Sequence, residues 1–428
     1  DIHQLMPGHT MRLVKGNLTI NRYWDIQYKI DTDLSEAEQD TKLKSLFEES
    51  MRLHVRSDVP VGTYLSGGID SSLMTVEAVK YAESFAGSFH GKFLESSDYD
   101  ESHFARLAAE KVKKPLHELV IEAGDFTQHI EKLIYHLDTP VAGPGSFPQY
   151  MVSKLASEHV KVILGGQGGD EIFGGYARYL IAYFEQTIKA SIDGTYRDNA
   201  FVVTPQSIIP NLVMLKRYKP MLQTFWQEGL FDPLDKRYFR LIDRSVDMRD
   251  EVDWRCFDQN AIFERFSSIF NNQANVSNEA YFDKMTHFDF KCLLPALLQV
   301  EDRVSMAHGL ESRVPFLDHP LIEWVARIPP TSKFPGGKMK HLLCKVFGDQ
   351  LPEPIMNRED KMGFPVPLKE WFTGEVGDYI KDIFSSQAAK NRGFYDPAAV
   401  LSGLSSTGQY TRKIWGLLSL ELWHSLFH

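Results

Sequence analysis

From Val59 onward the apolar positions repeat a pattern: a short apolar run, a glycine-rich or polar break, then apolar residues three and four apart. Val59 to Leu65, Ser88 to Phe93, Pro115 to Ile121 and Val160 to Leu164 have the length of strands. Between them, Ser71 to Tyr81, Glu101 to Val112, Phe126 to His136 and Phe147 to His159 have helical spacing. Strands that alternate with helices predict an α/β fold: a doubly wound parallel sheet covered on both faces, with right-handed crossovers.

Either side of this region the pattern differs. Pro7-Gly8 and Lys15-Gly16-Asn17 are turn signals, so residues 1–30 read as a short hairpin ending at Tyr23-Trp24. Residues 31–43 are polar and acidic and read as a linker into a helix, whose stripe runs from Thr41 to Arg56. After Tyr176 the strand signals fade, and residues 177–290 look helical and irregular. Residues 320–428 again look mainly helical. The final stripe, Ile414, Trp415, Leu417, Leu418, Leu420, Leu422 and Trp423, predicts a docked core helix.

Composition narrows the function classes. The formal net charge is -10, which argues against a nucleic-acid binder relying on a broad basic face. No apolar run approaches the ~18 residues that span a bilayer. Cys256, Cys292 and Cys344 are far apart, with no C-x-x-C pair, and are expected to be buried reduced thiols of a cytoplasmic protein. The histidines show no zinc spacing, and no transition metal is expected. The chain begins Asp1-Ile2-His3-Gln4, which suggests a piece of a longer polypeptide.

Two loops carry the candidate chemistry. In Tyr64-Leu65-Ser66-Gly67-Gly68-Ile69-Asp70-Ser71-Ser72 a strand ends, two glycines follow and a helix begins. Gly67 and Gly68 permit a tight turn with close backbone approach. Ser66, Ser71 and Ser72 add hydroxyl donors, and the helix N-terminus adds its dipole. The product is an oxyanion cradle at the carboxyl edge of a sheet. It is not the G-x-x-x-x-G-K-[ST] loop, because no Lys follows the second glycine. The second loop, Gly165-Gly166-Gln167-Gly168-Gly169-Asp170-Glu171, also follows a strand. A carboxylate near phosphate needs a cation between them. Asp70 and Asp170 meeting at ~4 Å without one would repel by about 4 kcal/mol at an effective dielectric near ~20. A bound Mg2+ would turn that repulsion into attraction.

Two further strings are ambiguous as they stand. In Glu301-Asp302-Arg303 and Glu311-Ser312-Arg313, the charges Asp302, Arg303, Glu311 and Arg313 suit a salt-bridged corner as well as a substrate contact. In Asn357-Arg358-Glu359-Asp360-Lys361-Met362-Gly363-Phe364-Pro365, proline and glycine forbid a regular helix after Lys361. A Lys on such a loop is usually a surface charge.

Taken together and in order, these strings resemble the synthetase domain of the glutamine-hydrolysing asparagine synthetases, a group that includes the β-lactam synthetases. The matched strings are S-G-G-I-D-S-S at Ser66, Asp98-Tyr99-Asp100-Glu101, Leu137-Asp138-Thr139-Pro140 and G-x-G-x-D-E at Gly166. S-M-A-x-G-x-E-x-R-V-P-F-L-D at Ser305 and R-x-x-K-x-G-F at Arg358 complete the set. The likeness runs to about Trp371 and more weakly to the end. It implies a pyrophosphate-loop (adenine nucleotide alpha hydrolase-like) sheet, a nucleotide-binding core at about 41–180 and helical regions at about 181–428. It also implies that residues 1–30 are the remnant hairpin of an N-terminal glutaminase domain, with 31–428 the synthetase domain.

The resemblance implies a two-step reaction. A substrate carboxylate attacks the α-phosphorus of ATP and releases pyrophosphate; ammonia then displaces AMP from the acyl-adenylate. ATP would be held by Tyr64, Ser66, Gly67, Gly68, Asp70, Ser71, Ser72, His90 and Gly166, and Mg2+ by Asp70 and Asp170. Lys361 would stabilise the α-phosphate in its pentacoordinate state, and Gln167, Asp302 and Arg303 are the substrate candidates. The implied partners are a small carboxylate and ammonia, with neither nucleic acid nor membrane, and a homodimer is kept as an option. One departure stands out: asparagine-forming members have Ser-Gly-Glu where this chain has Gly165-Gly166-Gln167. A neutral Gln cannot act as a base. The departure bears on the amine step and on the identity of the acceptor: the resemblance makes aspartate the default, with a non-aspartate carboxylate, such as a uronic-acid sugar, and a non-catalytic nucleotide-binding protein as alternatives.

Overall fold

A computed structural model describes residues 3–141, 143–194, 203–276, 281–358, 363–404, 408 and 412–428. Its centre is a five-stranded parallel sheet in the order β5-β4-β3-β6-β7. The strands are β3 (Val61–Tyr64), β4 (Phe85–Lys92), β5 (Leu116–Val120), β6 (Val162–Leu164) and β7 (Glu311–Arg313). Four of the five lie where the apolar runs predict. β7 is new: its three residues, Glu-Ser-Arg, carry no apolar pattern, and it pairs with β6 in the register Ile163 to Ser312. Glu311–Arg313, read from the sequence as part of a salt-bridged corner or a substrate contact, is an edge strand.

The helices follow the predicted alternation. They are α2 (Ile69–Tyr81), α3 (Ser102–Val112), α4 (Ala123–Leu137) and α5 (Ser146–Ser157), preceded by α1 (Glu36–His54). α1 starts five residues before the predicted stripe. Ser35 caps it by accepting from the Glu38 amide, while the Glu38 carboxylate accepts from the Ser35 amide. Such a reciprocal cap stabilises a helix start by about 1 kcal/mol, so most of the expected linker is helix.

The chain order gives the sheet its functional geography. β3, β4 and β5 run outward on one side; the chain then returns to place β6 on the other side of β3. The loops after β3 and β6 consequently diverge around a crevice at the carboxyl edge, where open α/β sheets bind ligands. Leu73, Met74, Val61, Val162 and Leu164 pack with α1 residues Leu43, Phe47 and Met51 on one face. Phe126, Ile130 and Leu133 of α4 pack with Ile414, Trp415 and Leu418 of the helix Lys413–Phe427 on the other. That last helix is docked as its stripe predicts, with Trp415 Nε1 donating to the Val141 carbonyl at 2.7 Å.

The described residues between Ala177 and Phe288 form a helical layer with an aromatic core that includes Tyr179, Tyr238, Phe270 and Phe282. The amino-terminal hairpin forms as expected, from β1 (His9–Val14) and β2 (Asn17–Arg22), turning at Lys15 and Gly16, both of positive φ. Leu13, Leu18 and Ile20 on it are exposed. The cysteines depart from expectation: all three are free thiols, but Cys256 is exposed and Cys292 and Cys344 are only partly buried.

Candidate active site

A cavity of about 860 Å³ opens at the carboxyl edge between β3 and β6. Ser66, Gly68, Asp70 and Ser71 from the β3–α2 loop line one wall, and Gly165, Gly166, Gln167 and Asp170 line the facing one. Tyr64, Phe89, His90 and Gly91 form the floor, and Lys338, Met339 and Lys340 close the far side. This volume suits a small-molecule ligand.

The β3–α2 loop folds as its residues require. Gly67 sits at φ 73°, and a Cβ there would lie 2.7 Å from the Ala105 amide of α3. The backbone therefore turns sharply and lies flat on α3. Ser71 Oγ accepts from the Ser66 amide at 3.2 Å and meets Ser66 Oγ at 3.1 Å, so two hydroxyls are grouped at the helix start. His90 Nδ1 is 2.8 Å from the Leu65 carbonyl and braces the end of β3. Gly67 and Ser72 stand behind this wall. Ser72 is fully buried, and its amide donates to the Gly68 carbonyl at 3.0 Å. Of the ATP-site residues expected from the sequence, these two support the loop without lining the cavity, because a helix start shows one side to the crevice and buries the other.

The glycine-rich loop brings the second carboxylate in. A Cβ on Gly166 would lie 3.1 Å from Asp70 Cβ, and one on Gly169 would lie 2.7 Å from Asp70 Oδ1. The two loops thus touch backbone to side chain. Asp70 and Asp170 converge on one atom, the ammonium nitrogen of Lys340: Asp170 Oδ1 is 2.6 Å away, and Asp70 Oδ2 is in contact. Burial alone would lower the Lys340 pKa, but the two carboxylates outweigh it and hold the ammonium well above its ordinary value. Gly175 makes room for the arrangement, since a Cβ there would overlap both the Asp170 carboxylate and the Lys340 stem. The neighbouring Glu171 is buried and accepts from Tyr176 Oη at 2.5 Å. Burial, reinforced by the Asp170 charge, pushes its carboxyl up to about 7.

Sequence reasoning passed over Lys340. The string Gly336-Gly337-Lys338-Met339-Lys340, two glycines followed by two lysines, was the available signal. Lys340 adopts a left-handed φ of 51° at the start of the helix His341–Phe347, which aims its side chain back at the sheet edge.

The substrate candidates separate. Gln167 lines the cavity, whereas Asp302 and Arg303 do not. They lie on the helix Leu294–Met306, whose buried positions are Leu294, Val300, Glu301, Val304 and Ser305. A 3.6-residue period puts 302 and 303 on the outer side. Arg303 pairs there with Asp138 at 2.9 Å, at the corner after α4. The residue that enters the cavity is Glu301, overlooked because its neighbours carried the more conspicuous opposite charges. Its carboxyl accepts from Ser312 Oγ at 2.6 Å, from Gln167 Nε2 at 3.3 Å and from Gln149 Nε2. Burial raises its pKa, and these three donors act in the opposite direction.

Lys361 lies outside the described residues. Arg358 and Gly363, on either side of it, both line the cavity. Arg358 pairs with Glu101, stacks 4.0 Å from the centre of the Phe104 ring, and donates to the Gly67 carbonyl at 3.4 Å.

Fold and cavity together define an α/β protein with a cavity between two glycine-rich loops at the switch point of a parallel sheet. Comparison with known proteins makes the class specific. The family model described as asparagine synthase matches residues 42–425, and the chain belongs to that family. It is 28% identical to asparagine synthetase [glutamine-hydrolyzing] 1 of Bacillus subtilis over 426 residues, covering 96% of this chain and 63% of the relative. A putative asparagine synthetase [glutamine-hydrolyzing] of Mycobacterium tuberculosis is also 28% identical, over 93% of this chain and 59% of its own length. Amidase chry2 of Gibberella zeae is 24% identical over 92% of this chain and 63% of its own. The chain thus spans about three fifths of the length of these relatives. Among the described residues, no helix is long and apolar enough to cross a membrane.

Proposed function

We propose that this chain is an ATP-dependent amide-forming ligase that adenylates a carboxylate, by default aspartate, and passes ammonia to the acyl-adenylate. The observation that carries this reading is the convergence of Asp70 and Asp170, from two different glycine-rich loops, on a single cationic point beside an oxyanion cradle. A polyphosphate held between these loops presents its anionic oxygens to that point.

The residues take the following roles. Ser66, Gly68 and Ser71 hold the β- and γ-phosphates with hydroxyls and amides, and Gly67 and Ser72 keep the loop in shape. Tyr64, His90 and Gly166 line the path of the nucleotide. The donor set at Asp70 and Asp170 fits Mg2+: both are hard carboxylate oxygens that already converge on a cation. When bound, Mg2+ would neutralise charge on the departing pyrophosphate. Lys340, which pairs with both carboxylates, would supply a positive charge to phosphate oxygens at the same place. Lys361 stabilises the α-phosphate in its pentacoordinate state, a role carried by its place in the R-x-x-K-x-G-F string between two cavity-lining residues. Ammonia would come from a glutaminase domain, to which we assign the hairpin at residues 1–30; the relatives' names describe them as glutamine-hydrolyzing.

A second reading, amidation of a carboxylate other than aspartate, is favoured by one residue, Gln167 in place of the Glu of asparagine-forming members. One experiment tests both. The chain is incubated with ATP, Mg2+, ammonium and a panel of carboxylates, and AMP and pyrophosphate are measured. Aspartate-dependent AMP supports the first reading, and AMP only with another acid supports the second. Nucleotide binding without AMP from any acid contradicts both.

A further inference from the structure

Asp98-Tyr99-Asp100-Glu101 has no role in the ligase reading, yet its last residue meets a residue of the cavity wall. Glu101 is the N-cap of α3, a position whose side chain ordinarily accepts from its own helix, but it makes no cap hydrogen bond. Asp100 Oδ1 takes the Ser102 amide instead, at 2.9 Å. The Glu101 carboxylate meets Nη2 of Arg358, 257 residues further along the chain. Both side chains are enclosed, 5% exposed for Arg358 and 8% for Glu101. The Arg358 guanidinium also lies 4.0 Å from the centre of the Phe104 ring, in the first turn of α3, and Nη1 donates to the Gly67 carbonyl at 3.4 Å. One planar fork therefore joins three pieces of chain: the loop after β3, the start of α3 and the stretch that leads to Lys361. A delocalised fork can stack on a ring and donate in two directions at once, which a compact ammonium cannot do.

We propose that Arg358, held in place by Glu101, is the positioning residue of the phosphate loop: it sets the loop for the departure of pyrophosphate and does not itself bind phosphate. The proposal rests on the ligase reading above. Gly67 is the left-handed residue of the loop, at φ 73°. A trans peptide points its carbonyl and the following N–H in opposite directions. Holding the Gly67 carbonyl therefore fixes the direction of the Gly68 amide, and Gly68 lines the cavity. The Glu101 carboxylate balances the guanidinium, so the pair adds little net charge to the cradle. Its effect is on where the loop donors point. Donors aimed in advance at developing charge act most strongly in the transition state, and a misplacement of about 1 Å costs about 10² in rate.

The test uses the acid that turns over in the wild-type panel. At saturating ATP and acid, Arg358→Met and Glu101→Met are each expected to slow pyrophosphate release by about 10² per folded molecule, with ATP affinity, measured by calorimetry, weakened by less than about tenfold. Combining them is expected to add no more than about threefold, because both remove the same contact. Arg358→Lys keeps the charge without the fork and is expected to stay within about threefold of Arg358→Met. Should a single variant not fold, the double variant, which leaves no buried charge unpaired, carries the test with the same loss of about 10². Pyrophosphate release by Glu101→Met within about threefold of wild type overturns the proposal. Tighter ATP binding by that variant also overturns it and makes Arg358 a direct phosphate ligand. Losses that multiply in the double variant, or a wild-type rate in Arg358→Lys, overturn it as well. So does a fall in the Tm of Arg358→Met with release per folded molecule unchanged, the mark of a purely structural pair. Wild-type protein that releases no pyrophosphate with any acid overturns the ligase reading itself, and this proposal with it.

Discussion

Gln167 and Glu301, 134 residues apart in sequence, meet at 3.3 Å in the cavity wall, the amide donating to the carboxyl. The negative charge that the loop itself lacks is supplied from the helix Leu294–Met306. A loop that departs from its family pattern thus keeps a carboxylate at hand, on a different element.

The triad of Asp70, Asp170 and Lys340 gives a prediction about the ligand-free protein. Lys340→Ala leaves two carboxylates facing each other; the triad is partly buried, so the cost falls below the ~3–5 kcal/mol of a fully buried pair. Its Tm should fall, and Mg2+ without nucleotide should restore part of the loss, because a divalent ion can occupy the vacated position. Thermal scans across Mg2+ concentrations check this. A deficit that Mg2+ does not change contradicts the assignment of the two carboxylates to a cation.

Gly175 offers a steric check on the same point. Alanine there overlaps Asp170 and Lys340, and overpacking typically costs about 1–3 kcal/mol. Gly175→Ala should weaken ATP binding in the presence of Mg2+ by at least about tenfold, measured by calorimetry, while Gly374→Ala, away from the cavity and with only an ordinary contact at 3.9 Å, should not. Similar affinities for the two variants contradict the geometry.

Glu171 predicts a pH dependence of stability. Its folded pKa is raised from the ordinary value of 4.5 to about 7. The folded state therefore holds this proton more tightly than the unfolded chain does. The contribution is fully present below about 4.5 and is lost as pH rises through about 7, by up to about 3 kcal/mol. Glu171→Gln is neutral throughout and can still accept from Tyr176. Its Tm relative to wild type should rise between pH 5 and pH 8, and a pH-independent difference contradicts the shift.

Much of this arrangement is legible in the sequence, and the remainder shows where local pattern stops. The β3 and β6 loops are legible because a strand, a glycine cluster and a helix follow one another within a few residues. The edge strand Glu311–Arg313 is not, because its pairing with β6 comes from a partner about 150 residues earlier and its own residues are polar. The early start of α1 was available in the Ser35-x-x-Glu38 capping signature. Asp302 and Arg303 drew attention as opposite charges, but helix phase decides which residue faces the cavity, and it selects Glu301. Lys340 reaches Asp70 across 270 residues, a distance no local motif spans.

Lys361 supplies the sharpest kinetic prediction. As a stabiliser of charge on the transferring phosphorus, Lys361→Ala should lose about 10²–10³ in adenylation rate, with ATP affinity changed far less. Pre-steady-state pyrophosphate release measures this directly. A release rate near wild type removes Lys361 from the reaction.

The central claim is that the acid attacks the α-phosphorus. It is tested most directly by following the acid's own oxygen. With the acid that turns over, labelled with 18O in both carboxylate positions, mass spectrometry of the nucleotide product is expected to find AMP carrying one 18O. The amide should retain the other. Unlabelled AMP, or ADP as the carboxylate-dependent product, would contradict the account.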